Sequence, residues 1–416
     1  MFIGQGGVVP KTSGALKALV FASLPWPAIG LAAPVPANIR AIHERMLTID
    51  THLDTPANFA RPGWDIMQRH DVAKDGSQVD YPRMVEGGLD GGLFAVYTAQ
   101  NARTPEGRAQ ARDAALKRAV EIHEMVAAHP KEFVMVTTPD EARKVAASGK
   151  RFVFVSMENG VPFGQDLTLM KTFYDLGVRV MSPVHFLNND LGDSSTDPKG
   201  PEWHGLSPIG KQFVAEANRM GILIDQSHAS DEVFDQMLAL SKAPIILTHS
   251  GCKAIYNHPR NLDDARLKAL AAKGGVIQIN AYNAYMIDIP KNPERDAAMA
   301  ALQAKYGGAR QRAPGDEAAA AAELKAINEK YPVPHATFDD FLKHLFHAIE
   351  VAGIDHVGIG PDMDGGGGLV GFEDIASYPK VTQALLAKGY SEADIQKVWS
   401  GNALRVMAQA QALKGS

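Results

Sequence analysis

The sequence predicts an α/β protein built as a closed (β/α)8 barrel of TIM type, and three observations carry that prediction. Apolar runs of strand length alternate with amphipathic stretches of helical period along most of the chain. Eight such runs can be picked out, the number that closes a barrel of parallel strands. Several end on residues able to bind a metal or carry charge: His52 with Asp54, then Glu158, His228, His249 and Asp362. Polar groups emerging at one end of apolar barrel strands share a single pocket.

The predicted strands cover 47–50, 92–97, 152–156, 179–183, 222–226, 244–248, 275–280 and 356–360. Helices are predicted between them, over 107–128, 139–148, 167–176, 210–220, 230–240 and 263–273. Capping chemistry marks their ends, as Asp263 and Gly274 illustrate. From 287 to 337 the rhythm breaks into an alanine- and charge-rich stretch containing GDEAAAAAELKAINEKY. It reads as one or two surface helices inserted between strands seven and eight, punctuated by Gly307, Gly308, Pro314 and Gly315. Such an insertion sits on the rim over the pocket, as a lid, a dimer contact or an inert solvated hairpin.

Ahead of the barrel domain, which is assigned to 34–416, residues 1–33 read as a signal peptide. Lys11 and Lys17 precede the apolar stretch ALVFASLPWPAIGLAA, which ends in small residues at Ala32 and Ala33. The expectation is an exported protein, periplasmic or secreted. Pro25 and Pro27 interrupt the run, so a disordered arm on a cytoplasmic protein is the alternative. No later stretch has the length of a membrane span. With 42 basic and 47 acidic residues and a net charge of −5, no excess favours nucleic acid as a partner. One cysteine, Cys252, allows no intrachain disulfide.

His52 and Asp54, two residues apart in MLTIDTHLDTP, share a face if the strand continues, and can then reach one cation. Taken alone they read better as a histidine in a turn with Asp54 capping the following helix. Glu158 is harder to explain away, because it follows the apolar FVFVSM, where an unpaired carboxylate carries a heavy desolvation penalty. His228 in IDQSH and His249 in ILTHS end successive strands, so two imidazoles can grip a second ion while Glu158 bridges. A nitrogen and oxygen donor set without thiolate suits zinc or a similar divalent ion.

These residues lie in IDTHLDTP, SMENG, YDLGVRVMSPVHFLNNDLGDSS, IDQSH, THSGCKAIYNHPRNLDD, HVGIGPDMDG and YPKVTQALLAKGYSEADIQKVWSGNALRV. Together the segments resemble the membrane (renal) dipeptidase family, two-zinc dipeptidases of amidohydrolase-like barrel fold, from about residue 42 to about residue 407. The resemblance implies that His52 and Asp54 bind the first zinc, His228 and His249 the second, and that Glu158 bridges the two Zn2+ ions. It implies further that His185 polarises the scissile carbonyl, that Arg260 receives the substrate's C-terminal carboxylate, and that Asp362 shuttles protons. On residue type alone these three are also a core histidine, a surface ion pair and a helix cap. Two departures stand out. Phe186, Leu187 and Asn188 replace the tryptophan and small polar residues that often follow the substrate histidine, and the alanine-rich insertion is not a general family feature.

The function implied is hydrolysis of dipeptides by a metal-bridging water or hydroxide, with tolerance of D-residues at the C-terminal position. A homodimer is suggested by the resemblance alone. Deacylation of N-acyl amino acids or opening of a β-lactam is the alternative use of the same centre, and a binding protein on a decayed barrel is the reading outside catalysis.

Overall fold

The computed structural model describes residues 34–307 and 315–415, so the predicted leader at 1–33 lies outside the described residues. Ten strands are seen among them: β1 (Asp50–Leu53), β2 (Gly91–Tyr97), β3 (Phe133–Met135), β4 (Arg151–Glu158), β5 (Val178–Met181), β6 (Leu223–Ile224), β7 (Ile246–Cys252), β8 (Asn261–Leu262), β9 (Val276–Ile279) and β10 (Val357–Ile359). All paired strands run parallel. One sheet has the order β1-β2-β4-β5-β6 and the other β10-β9-β7-β8.

Two seams join the sheets into a ring. At one, Asp225 bridges Ile246 in parallel and the Gln226 N–H donates to the Ile246 carbonyl at 2.8 Å. At the other, Leu53 bridges Met363 and the Asp54 N–H donates to the Met363 carbonyl at 3.0 Å. The closed order is therefore β1-β2-β4-β5-β6-β7-β9-β10, the eight-stranded barrel that the sequence predicts. Strands β3 and β8 are additions. β3 pairs with the start of β4, ahead of the stretch that β5 uses, and β8 pairs with the end of β7.

Parallel strands covered on both faces need apolar side chains throughout, and β2, β4, β7 and β9 are buried almost along their whole length. Leu93, Phe152, Phe154, Val180, Leu223, Ile246 and Val276 form one cluster with Leu404, Val406 and Met407 of the helix Asn402–Gln411. The C-terminal segment thus closes the barrel at the end where the strands begin. A π-helical turn at Lys397–Gly401 turns the Trp399 carbonyl to the Ile49 N–H at 3.0 Å. This contact explains a difference from the predicted first strand: the apolar run at 47–49 packs on the C-terminal segment, and pairing with β2 begins only at Asp50.

Between β9 and β10 the helices Pro293–Tyr306 and Glu317–Lys330 fall within the 287–337 segment, and residues 308–314 between them lie outside the described residues. The amphipathic helix Phe338–Ala352 follows and packs on the barrel against β7 and β9. No helix of the described residues is long and apolar enough to cross a membrane.

The first described helix, Ala37–His43, is tied to the C-terminal segment by a buried relay. His43 Nε2 lies 2.9 Å from the Gly87 carbonyl, which can only accept, so Nε2 carries the proton. Nδ1 then accepts from Thr382 Oγ1 at 2.7 Å, and Thr382 in turn accepts from the Trp399 indole at 2.8 Å. Burial lowers the His43 pKa to about 4. As pH falls below the ordinary value of 6.5 the unfolded chain takes up a proton that the folded one refuses, so stability is lost between 6.5 and about 4. Between pH 7.5 and pH 5 this residue is expected to remove about 2 kcal/mol of stability. Urea denaturation of the wild type and of His43→Gln at both pH values, with chelator present throughout, checks it: the variant should lose less on acidification. An equal loss in both proteins would mean that His43 is not held neutral.

Candidate metal centre

Every residue singled out as a candidate ligand or catalytic group stands at the C-terminal mouth of the barrel. His52 lies in β1, and Glu158 is the last residue of β4, flanked by β2 and β5. His185 follows β5, His228 follows β6, and Asp362 follows β10. His249 is inside β7, which runs four residues further than the predicted 244–248 strand. Pairing register shifts between Asp50 and Leu53 in β1 and between Leu247 and Ser250 in β7, so each of these histidines sits in an irregular stretch. Such irregularities re-aim side chains next to functional sites. His228 and Asp362 adopt left-handed backbone with φ of 72° and 68°, uncommon for residues with a Cβ.

The side chains converge on Glu158. Its Oε2 lies 3.5 Å from His52 Nε2, while Oε1 lies 3.1 Å from His228 Nε2, 3.5 Å from His249 Nε2 and 3.7 Å from His185 Nε2. His52 Nε2 also faces Asp54 Oδ2 at 3.8 Å and Asp362 Oδ1 at 3.9 Å. Asp54 stands at the head of the 3-10 turn Thr55–Asn58 without making a capping bond through its side chain, so the helix-cap reading does not apply. Three triads have all their ligand atoms within 4.8 Å of one another: His52, Glu158 and His249; Glu158, His185 and His228; His52, Asp54 and Asp362. They overlap at His52 and Glu158, an arrangement suited to two neighbouring ions.

Burial makes this convergence expensive unless a cation answers it. His52, Glu158, His228 and His249 are each no more than 4% exposed. His52 Nε2 is a buried nitrogen with no hydrogen-bond partner, and so is His228 Nδ1. Burial, the largest influence on His52, pushes its pKa down, yet the carboxylates of Glu158 and Asp54 outweigh it and hold the imidazole well above its ordinary value. Burial likewise raises Asp362 well above the carboxyl range, with His52 opposing and the Asp54 and Glu158 carboxylates reinforcing. The His52 shift, and the share of the Asp362 shift that Asp54 and Glu158 add to burial, register a surplus of negative charge that a divalent cation would neutralise. His228 and His249 are driven well below their ordinary value, first by burial and then by neighbouring cationic groups, Arg260 among them. They are neutral imidazoles with lone pairs to offer.

Outer contacts fix which nitrogen offers the lone pair. Thr248 Oγ1 donates to Asp225 Oδ2 at 2.6 Å, so it accepts from His249 Nδ1 at 3.0 Å and leaves His249 Nε2 as the ligand atom. Asp225 also takes the N–H groups of Ser227 and Thr248, both at 2.9 Å. On the other side Gly365 presses against the carboxylates: a Cβ there would come within 2.0 Å of Asp362 Oδ1 and 2.2 Å of Asp54 Oδ2.

Arg260 is 4% exposed and donates to the His249 carbonyl at 2.9 Å, with its guanidinium 5.3 Å from the Tyr285 ring centre. No carboxylate among the described residues forms an ion pair with it, and its Nε has no partner, so the surface ion-pair reading fails. His185 packs edge-on against Tyr97 at 5.0 Å and beside Phe186 at 3.9 Å, and burial lowers its pKa. Ser194 donates to the His185 carbonyl. The loop that follows is pinned by Arg108, which clasps Asp190 with two bonds of 2.9 Å, and by Asp193, which accepts backbone N–H groups from Glu202, Trp203 and Gly205.

Asp225, Thr248, Ser194, Gly365, Tyr97 and Tyr285 are parts of the site that the sequence reading passed over. For Asp225 a signal existed: a carboxylate directly after the apolar ILI poses the same burial question as Glu158.

Comparison with known proteins gives the family. Residues 36–416 match the family described as Membrane dipeptidase (Peptidase family M19). Dipeptidase tcpJ of Claviceps purpurea is 26% identical over 363 residues, covering 85% of this chain and 74% of its own. Among solved structures, the probable dipeptidase PvdM from Pseudomonas aeruginosa is 30% identical with a TM-score of 0.77, covering 90% of this chain and 98% of its own. A metallo peptidase from Rhodobacter sphaeroides, liganded with a phosphinate mimic of the dipeptide L-Ala-D-Ala, is 25% identical with a TM-score of 0.69, over 88% of this chain and 99% of its own. By sequence and by fold, this chain belongs to the membrane dipeptidase family, M19, and is a metallo-dipeptidase.

Proposed function

We propose that this dipeptidase works with two zinc ions, one held by His52 and Asp54, the other by His228 and His249, with Glu158 shared between them. The observation that carries this reading is the division of Glu158, one oxygen facing His52 at 3.5 Å and the other facing His228 at 3.1 Å and His249 at 3.5 Å. The donor set fits zinc, being imidazole and carboxylate without thiolate, and the partnerless His52 Nε2 fits a ligand atom. When bound, the ions supply Lewis acidity toward a carbonyl and make water nucleophilic near neutral pH.

The remaining work falls to the protein. Arg260, a buried guanidinium without a carboxylate of its own, receives the C-terminal carboxylate of a dipeptide as a planar fork. His185 donates to the carbonyl oxygen as negative charge builds on it. Asp362 takes the proton that the attacking water gives up and passes it to the departing amine. Because the C-terminal residue is recognised through its carboxylate, a D-residue there is accepted; the L-Ala-D-Ala mimic bound by the Rhodobacter relative supports this part.

Zinc-loaded protein is expected to hydrolyse both L-Ala-L-Ala and L-Ala-D-Ala, and to act on N-acetyl-L-alanine or a β-lactam far more slowly. Faster turnover of the acyl amino acid would assign the site to deacylation instead. Arg260→Ala should lower kcat/KM for L-Ala-L-Ala about 100-fold, the scale of leaving a buried charge unpaired. The same change should matter little for the C-terminal amide of that dipeptide, and an equal loss on both substrates would remove Arg260 from carboxylate recognition. Asp225→Asn is expected to weaken zinc retention by roughly 10- to 100-fold through His249. Competition with a chromogenic chelator measures this, and unchanged affinity would reduce Asp225 to a purely structural role.

A further inference from the structure

Eight large apolar side chains among the described residues are exposed, and three of them follow or end the strands at the barrel mouth: Tyr97, Phe186 and Leu187, at 37%, 43% and 36%. Tyr97 ends β2 and touches His185 edge to face, with ring centres 5.0 Å apart. Phe186 lies 3.9 Å from the His185 ring and 5.3 Å from that of His228, edge-on to the latter. Leu187, next in the chain after Phe186, lines a cavity of about 550 Å³ together with Gln100, Asn101, Arg103 and Lys199. The cavity is not cationic overall: Glu202 pairs with Arg103 through two bonds of 2.6 and 2.7 Å, and Asp197 lines it along with Lys199.

The barrel order says which end of a substrate meets this wall. In the ring β1-β2-β4-β5-β6-β7-β9-β10, β2 stands across from β7 and β5 across from β10. Tyr97 and Phe186 extend from β2 and β5. Arg260, Tyr285 and Asp362 extend from β7, β9 and β10, on the opposite side of the Glu158 cluster. A dipeptide spans about 7 Å when extended. With its carboxylate on Arg260 and its peptide carbonyl over Glu158 and His185, its amino-terminal residue reaches Tyr97 and Phe186.

We infer that Tyr97, Phe186 and Leu187 form a subsite for the amino-terminal side chain, and that the preferred substrates carry an aromatic or large aliphatic residue there. The inference rests on the dipeptidase reading above and names its substrate class. An exposed aromatic wall is covered again only when an apolar group rests on it, and covering a benzyl group removes enough apolar surface from water to favour it about ten-fold over a methyl. A charged side chain would lose hydration against the rings of Tyr97 and Phe186 without gaining a partner from them.

Calorimetric titration of the zinc-loaded protein with phosphinate dipeptide mimics tests this without turnover. The mimic of Phe-Ala should bind about ten-fold more tightly than that of Ala-Ala, and that of Asp-Ala more weakly than either. In Phe186→Ala the Phe-over-Ala ratio should fall to about two-fold, with Phe186→Leu restoring part of it. The ratio between mimics of Ala-Phe and Ala-Ala, which differ at the other end, should move less than two-fold. Equal binding of the Phe-Ala and Ala-Ala mimics overturns the subsite, as does a Phe186→Ala effect confined to the C-terminal side chain. Tight, selective binding without hydrolysis of the matching dipeptides would sink the dipeptidase chemistry and leave the subsite standing; absence of binding by every mimic would sink both.

Discussion

The constraint that organises this molecule is the burial of Glu158 beside two further carboxylates and four imidazoles in a mouth almost closed to water. A carboxylate at the end of a strand buried between two neighbours has no solvent to turn to, and its partners must be brought to it. They come from five other barrel strands. The positive charge they jointly demand is visible in the direction of the titration shifts: His52 is held toward its cationic form while Asp362 is held toward its neutral one. At His52 the neighbouring carboxylates outweigh burial, at Asp362 they add to it, and a pair of divalent ions would relieve the carboxylates' share of both.

Meeting that demand distorts the regular frame locally and stiffens it around the distortion. β1 and β7 lose register where His52 and His249 must turn inward, and His228 and Asp362 take a backbone conformation that residues with a Cβ rarely adopt. Such strain persists only where surrounding contacts over-determine it. Here they do: the His228 carbonyl accepts from the Ser195 N–H at 2.8 Å and the Asp362 carbonyl from the N–H groups of Gly365 and Gly367 at 3.1 and 2.8 Å, while around the other ligands Asp225 gathers three donors beneath His249, Asp50 receives the His52 N–H at 2.9 Å and the Tyr378 hydroxyl, and Asp193 with Asp190 anchors the loop behind His185. The acidic groups next to the ligands therefore hold conformation, while those in the mouth hold charge.

How much of this could be read from residues alone follows from how locally each feature is encoded. The eight barrel strands were legible because a strand covered on both faces is a continuous apolar run. Glu158 was legible because a carboxylate after FVFVSM demands a reason. β3 and β8 were not, since three- and two-residue strands leave no periodic trace. The offset of β1 depended on Ile49 meeting Trp399, a contact between residues 350 positions apart in the chain. Tyr97 read as an ordinary strand end, and Asp225 as an ordinary polar stop, because their significance lies in what the closed ring sets opposite or beneath them.

The ring is two sheets meeting at seams of only a few backbone bonds, and the seams divide the cluster. His52, Asp54, Glu158, His185 and His228 belong to the sheet that contains β4; His249, Arg260 and Asp362 belong to the one that contains β9. An ion gripped from Glu158 to His249 would thus act as a rivet across the joint, and thermal parting of the staves would loosen it. In this architecture the affinity for the ion and the mechanical integrity of the cylinder are one quantity seen from two sides.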